Sequence, residues 1–399
     1  MTSAQLEDRR VARDPDVVLG PGFRRGPAVV HMVKNRATGD RYEIGPREYF
    51  VLSRLDGRRT LGEIGDEYAA AFQRHLGDAS WGQLLALLGA RNLLAGAPRR
   101  PAARVHCKGF QRLGPLRGKY VFGDPSRLVA RVYRRISWVY RPAVLVPLLV
   151  ALVGMDVYLA TRLSSLATGV STVLHQPSLA MLVTVLLWVG AAGHEFAHGL
   201  TCRHYGGNAS AIGIRWYGPV VAAFCSVDDV MLFPRRRGRV ATAASGVVAN
   251  HVFLAPFFVL WLALPASDPT RDAIGTLLLL GIGQALFNYL PMPTLDGLHM
   301  VAHLLGLSRL SEESRRYTRL RVAALLGRRP APDGYPRWVR RTYVGFRVWV
   351  LLAGTASVVL LALLGFAVLP TGVAWALAGV AALFIAWRRY AGWKKGIAT

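Results

Sequence analysis

The sequence predicts an α-helical polytopic membrane protein with about six transmembrane helices and a small N-terminal α+β domain. Three observations predict it. The 399 residues are 52% hydrophobic, with a mean hydropathy of +0.29, whereas soluble domains run about 45–50% apolar on a broader count that includes Gly. The excess is uneven, since most long apolar runs follow Arg141 while residues 1–140 are charged and soluble in character. Finally, the formal charge of +26 gathers beside the apolar segments, at Arg134-Arg135, Arg235-Arg236-Arg237 and Arg388-Arg389. That placement assigns the charge to the cytoplasmic side and the anionic inner leaflet, and argues against a nucleic-acid partner.

Residues 1–22 read as an N-terminal tail. It is polar and lacks the apolar core of a signal peptide, so the first apolar span is expected to act as the insertion signal. A compact domain follows over 23–96. Val29 to Val33 and Arg41 to Ile44 flank a turn around Ala37-Thr38-Gly39-Asp40 and predict a hairpin. Pro46 opens a helix carrying Tyr49, Phe50, Leu52 and Leu55. Thr60-Leu61-Gly62-Glu63 fits a capping box, with Ile64, Tyr68 and Phe72 on one face. Ser80 starts a third helix with Trp81, Leu84, Leu85, Leu87 and Leu88.

Residues 97–140 read as a linker and a basic amphipathic helix. Leu128, Val129, Val132, Tyr133 and Ile136 interleave with Arg127, Arg131, Arg134 and Arg135, a pattern suited to the inner leaflet. The competing reading is an extension of the first span. Cys107, Cys202 and Cys225 are the three cysteines, and their odd, scattered set gives neither a disulfide framework nor a CxxC pair.

Residues 141–399 form the membrane domain. The six predicted spans are about 142–162, 178–201, 244–265, 272–290, 345–368 and 371–387, each near the ~20 residues needed to cross the hydrocarbon core. Loop 163–177 holds no Lys or Arg, and loop 266–271 holds only Arg271. The basic segments lie on the opposite side, so the positive-inside rule puts both termini in the cytoplasm of a multi-pass cell-membrane protein.

His194-Glu195-Phe196-Ala197-His198 follows the uncharged run from Leu179 to Gly193. Four residues is a little over one helical turn, so both imidazoles sit about 6 Å apart on one face and can reach one Zn²⁺. Glu195 lies beside them, able to take a proton from water. Such groups are costly in an apolar span and mark function. A catalytic zinc needs a third protein ligand and an open position. Asp296 is the best candidate: Pro291 and Pro293 end the fourth span, and Gly297 permits a sharp turn back.

His194-Glu195-x-x-His198, paired with Asn288-x-x-Pro291-x-Pro293-x-Leu295-Asp296-Gly297, resembles the site-2 protease family of intramembrane zinc metalloproteases. The resemblance spans about 178–305. Between the two motifs, Ser245-Gly246-Val247-Val248-Ala249-Asn250 is similar to the family's Gly-Pro-x-x-Asn helix start, with Val247 in place of Pro. The resemblance implies His194, His198 and Asp296 as zinc ligands and Glu195 as the catalytic base, and it matches Asn250 and Asn288 to positions that contact substrate or the oxyanion. The N-terminal hairpin and three helices look like a winged helix. Tyr42 to Tyr49, Leu55-Asp56-Gly57 and Thr60 to Ile64 are similar to PqqD-like leader-recognition domains. Leaders add there as a strand to the hairpin edge.

Together the two resemblances imply a zinc metalloendopeptidase of the peptide-natural-product branch. It would remove the leader from a ribosomally made precursor, for example of a daptide-type pathway. A regulated intramembrane protease cutting a signalling protein such as an anti-sigma factor stays open, as does a non-enzymatic membrane scaffold or immunity protein. At the level of residues, His194 and His198 have a competing reading as a hydrogen-bonded pair, which leaves Glu195 without a role. Asp296 competes with a plain helix cap, and Asn288 with an amide bridge between helices. His299 and His303 repeat the i, i+4 spacing and fit a helix face at the water interface or a second metal. Asp228 and Asp229 read as loop caps.

Overall fold

The computed structural model describes residues 6–96, 108–114, 116–218 and 220–368. The chain divides into two compact units, Met1–Leu310 and Ser311–Thr399.

The first unit opens with β1 (Arg10–Ala12), β2 (Val17–Arg25), β3 (Ala28–Asn35), β4 (Arg41–Ile44), α1 (Pro46–Arg54), β5 (Asp56–Thr60), α2 (Leu61–Phe72) and α3 (Asp78–Ala90). β2, β3 and β4 make an antiparallel sheet in that order, and β1 pairs with β5. The predicted hairpin is therefore the second half of a three-stranded sheet. Residues 10–12 and 17–22, read as tail, are strand, so the boundary at 23 cuts through β2. The capping box forms as expected: Thr60 Oγ1 accepts from the Glu63 amide at 3.2 Å, and Glu63 Oε2 accepts from the Thr60 amide at 2.9 Å. The third helix starts at Asp78 rather than Ser80, with Gly77 ahead of it. Val33, Ile44, Val51, Leu52, Leu61, Ile64, Trp81 and Leu88 close one apolar core. Burial of such a cluster outweighs the weak pairing of two short sheets.

The segment read as linker contains two strands, β6 (Gly109–Gly114) and β7 (Arg117–Gly123). They join β8 (Ala211–Tyr217) and β9 (Val220–Ser226) in a four-stranded antiparallel sheet ordered β6-β7-β8-β9. Cys107 lies outside the described residues. Next, α4 (Ser126–Ile136) is a helix in its own right, separated from the first span by a 3-10 turn, Ser137–Tyr140. Val129 is buried against Leu200, Ala209 and Cys225, while Leu128 is exposed.

The helical core comprises α5 (Pro142–Thr161), α6 (Leu163–His175), α7 (Pro177–His204), α8 (Arg236–Ala263), α9 (Pro269–Asn288) and the short α10 (Asp296–Leu305). A 3-10 turn, Asp228–Leu232, precedes α8. The uncharged loop 163–177 is mostly α6, which packs on α9: Thr172 donates to Asp272 at 3.2 Å. Gly169 lets the backbones meet, since a Cβ there would stand 2.7 Å from the Asp272 carbonyl. Leu152, Met155, Leu166, Leu254, Trp261 and Leu277 form the common core.

In the second unit, α11 (Leu310–Leu325) carries Tyr317, whose ring lies 4.8 Å from that of Tyr335 and 6.1 Å from that of Tyr343. Tyr343 belongs to α12 (Arg337–Val368).

Four described helices are long and apolar enough to cross a membrane: Pro142–Thr161, Pro177–His204, Arg236–Ala263 and Arg337–Leu360. Against the six predicted spans, these four are the ones found among the described residues. The predicted span 272–290 is helical in α9, but Arg271, Asp272, Gln284 and Asn288 lower its hydropathy below that of the others. The predicted span 371–387 lies outside the described residues.

Candidate metal centre

His194, Glu195 and His198 lie on the last turns of α7, where the charge-free run gives way to polar residues. Helical spacing points both imidazoles one way, and their Nε2 atoms stand 3.3 Å apart. Asp296, the first residue of α10, brings its Oδ2 to 2.8 Å from His194 Nε2 and 3.4 Å from His198 Nε2. The three form a His-His-Asp group that could hold a metal ion.

The distances test the fit. A tetrahedron with roughly 2.0–2.1 Å metal–ligand bonds has edges of about 3.3–3.4 Å, close to two of the three separations. Asp296 Oδ2 is buried and makes no hydrogen bond. Burial opposes its ionisation, but the two imidazoles override it and hold the carboxyl well below the usual carboxylate range. A carboxylate oxygen and two imidazole nitrogens converging at these distances suit zinc.

The surroundings orient these ligands. His198 Nδ1 lies 2.7 Å from the Thr242 carbonyl of α8, which accepts only, so Nδ1 carries the proton and Nε2 is free as a ligand. Ser245 Oγ donates to the same carbonyl at 2.8 Å. One turn on, Gly246 passes under His194: a Cβ there would stand 2.5 Å from Nε2. Only glycine leaves that ring its place.

Asp296 is delivered by a tight turn between α9 and α10. Gly297 abuts the Tyr289 and Leu290 carbonyls so closely that a Cβ would collide with backbone. Thr294 adopts φ +82°, a left-handed conformation that a β-branched residue rarely takes. Strain of this kind persists where surrounding structure enforces it. The prolines at 291 and 293 end the helix, as predicted.

Glu195 faces another way. Its Oε2 accepts from the Cys225 amide of β9 at 3.0 Å, and Arg215 Nη2 stands 3.9 Å from Oε1, beyond hydrogen-bond reach. Glu195 is partly exposed, so water can reach it. Burial first, then the Glu195 charge, pushes the Cys225 thiol up to about 12. Cys225 therefore contributes its backbone N–H rather than a nucleophile.

Asn250 lies on α8 one turn beyond Gly246 and is buried. It lines a crevice with Leu187, Gly190, Phe253 and Gln284. Asn288 ends α9. His299 is exposed, and His303 is buried with Nδ1 lacking a partner, their rings 6.4 Å apart. Among the described residues no third ligand joins them. Asp229, expected to cap a loop, is buried and paired with Lys34 at 2.6 Å.

Sequence reasoning missed Thr242 and Cys225, and it named Gly246 within the motif without its place under His194. The alternation in Ala211-Ile212-Gly213-Ile214 was the available signal for the β8–β9 hairpin that carries Cys225. No family model matches the chain, and comparisons with curated proteins and with solved structures gave no match.

Proposed function

We propose that this chain is an intramembrane zinc metalloendopeptidase of the site-2 protease type that removes the leader from a ribosomally made precursor peptide. One observation carries the reading: His194, His198 and Asp296 converge from α7 and α10.

His194, His198 and Asp296 would hold the ion. Zinc, when bound, supplies Lewis acidity to the scissile carbonyl and to water. Glu195 takes the proton from the attacking water and passes it to the leaving amine. The Cys225 N–H fixes the carboxylate through Oε2, keeping Oε1 for that exchange. β9 is an edge strand beside Glu195, so an extended peptide has main-chain partners there. Asn250 and Asn288 would approach the substrate or its oxyanion.

The leader would bind the PqqD-like N-terminal domain as an added strand. β4 is an edge of that sheet, which favours it as the binding strand. In the membrane, α9 would add a fifth span to the four longer helices. The N-terminus would face the cytoplasm, and the basic segments would face anionic lipid.

Purified protein should hold about one zinc per chain and cleave a leader-bearing precursor. Full cleavage by Glu195→Gln, or preference for a transmembrane signalling segment over the precursor, would overturn the corresponding half of this reading.

A further inference from the structure

We propose that the N-terminal domain braces the metal centre, with Phe23, Arg24 and Lys34 as positioning residues for ligands that lie far along the chain. The proposal rests on the metal reading above. A domain serving only to capture a peptide needs a tether; this one is seated.

Three contacts seat it, each on a segment that leads into the site. Arg24 of β2 donates its N–H to the Gly306 carbonyl at 2.9 Å and accepts from the Ser308 N–H at 2.9 Å. Those residues end α10, the ten-residue helix whose first residue is Asp296. A helix that short, about 15 Å long, moves as a rod, so fixing its end fixes the ligand.

Phe23 is 1% exposed, and the Arg239 guanidinium lies 4.9 Å over its ring. Arg239 also donates to the Phe233 carbonyl at 2.6 Å. It sits on α8 about one turn before Thr242, the carbonyl that orients His198, and about two turns before Gly246, the floor under His194.

Lys34 of β3 reaches Asp229 Oδ1 at 2.6 Å, with both side chains largely buried, and Asp229 Oδ2 accepts the Asn208 N–H at 3.0 Å. Arg41 pairs with the adjacent Asp228, whose Oδ2 also accepts from Ser210. This acidic pair follows β9, the strand that holds Glu195. Gly20 permits the approach, since a Cβ there would stand 2.9 Å from the Met231 carbonyl. Losing Lys34 takes from the buried Asp229 carboxylate the cation in contact with it and leaves only the more distant Arg41 charge, which favours separation of the surfaces. The three contacts thus bear on the supports of His194, His198, Asp296 and Glu195 at once.

The test loads the full-length protein with Co²⁺ in place of zinc, because its ligand-field spectrum reports ligand geometry. Lys34→Ala and Phe23→Ala should weaken Co²⁺ binding on the order of tenfold, as loss of ligand support does, and shift the spectrum. Lys34→Arg should restore both. In the metal-free protein, amide exchange over 296–308 should quicken in Lys34→Ala while β2–β4 stay protected. That pattern separates a lost brace from an unfolded domain. If Phe23→Ala unfolds the domain, Lys34→Ala decides. Wild-type Co²⁺ affinity, spectrum and exchange in Lys34→Ala would overturn the brace alone. A wild-type protein that takes up no Co²⁺ would overturn the metal reading and the brace with it.

Discussion

Helices α7 and α10 each carry two histidines four residues apart, yet only one pair belongs to a candidate metal group. On α7 both rings are buried with centroids 4.9 Å apart, a backbone carbonyl sets the tautomer of His198, and Asp296 closes the set. On α10 the centroids are 6.4 Å apart, His299 is exposed, and His303 is buried without a partner for Nδ1. Burial first, with His299 and Arg239 adding to it, holds His303 down at about 3, so it stays neutral near pH 7. The i, i+4 spacing aligns two ligands; a third ligand and an orienting carbonyl are what make a site.

The sharpest way to break this comparison is to remove members of the α7 set. His194→Ala or Asp296→Ala should lose zinc by metal analysis, and Glu195→Gln should keep zinc and lose hydrolysis by a factor of about 10² or more. Full zinc retention in Asp296→Ala would move the third ligand elsewhere, with His299 or His303 next in line.

Gly246→Ala tests the support rather than the ligand. Its added methyl occupies the place of the His194 ring, so zinc affinity should fall on the order of 10–100-fold by competition with a chelator. Unchanged affinity would mean that α8 yields easily there. For the α10 pair the expected effect is small: His299→Ala with His303→Ala should leave the stoichiometry at about one zinc per chain. A drop from two to one would assign them a second metal.

His31 offers the mildest test, in a histidine environment with no ligand role. It stacks on Tyr49 with centroids 3.6 Å apart, and burial lowers its pKa. A histidine with a lowered folded pKa binds fewer protons folded than unfolded below about pH 6.5. The stability of the N-terminal domain should therefore be full above that pH and decline below it, by thermal melts. His31→Phe should flatten the dependence, and an unflattened curve would assign it to other groups.

The sequence alone determined the local and periodic features. Apolar runs of helical length marked α5, α7, α8 and α12, and the capping box marked α2. The HExxH spacing fixed which faces of α7 carry chemistry, because 3.6 residues per turn leaves little choice. Pro291, Pro293 and Gly297 foretold the break before Asp296, since proline lacks the donor a helix needs. Tertiary structure decided everything that depends on a partner distant in sequence. The strands β6 and β7 are short, and they acquire their neighbour only at β8, far along the chain. Gly246 reads as one letter of a motif until the His194 ring lies over it and shows why glycine is needed there. Nothing in the sequence marks Lys34, and Asp229 reads as a loop cap, until docking buries the two together. Such contacts leave no period in the sequence, because their strength comes from the shape and charge of two surfaces that meet only after folding.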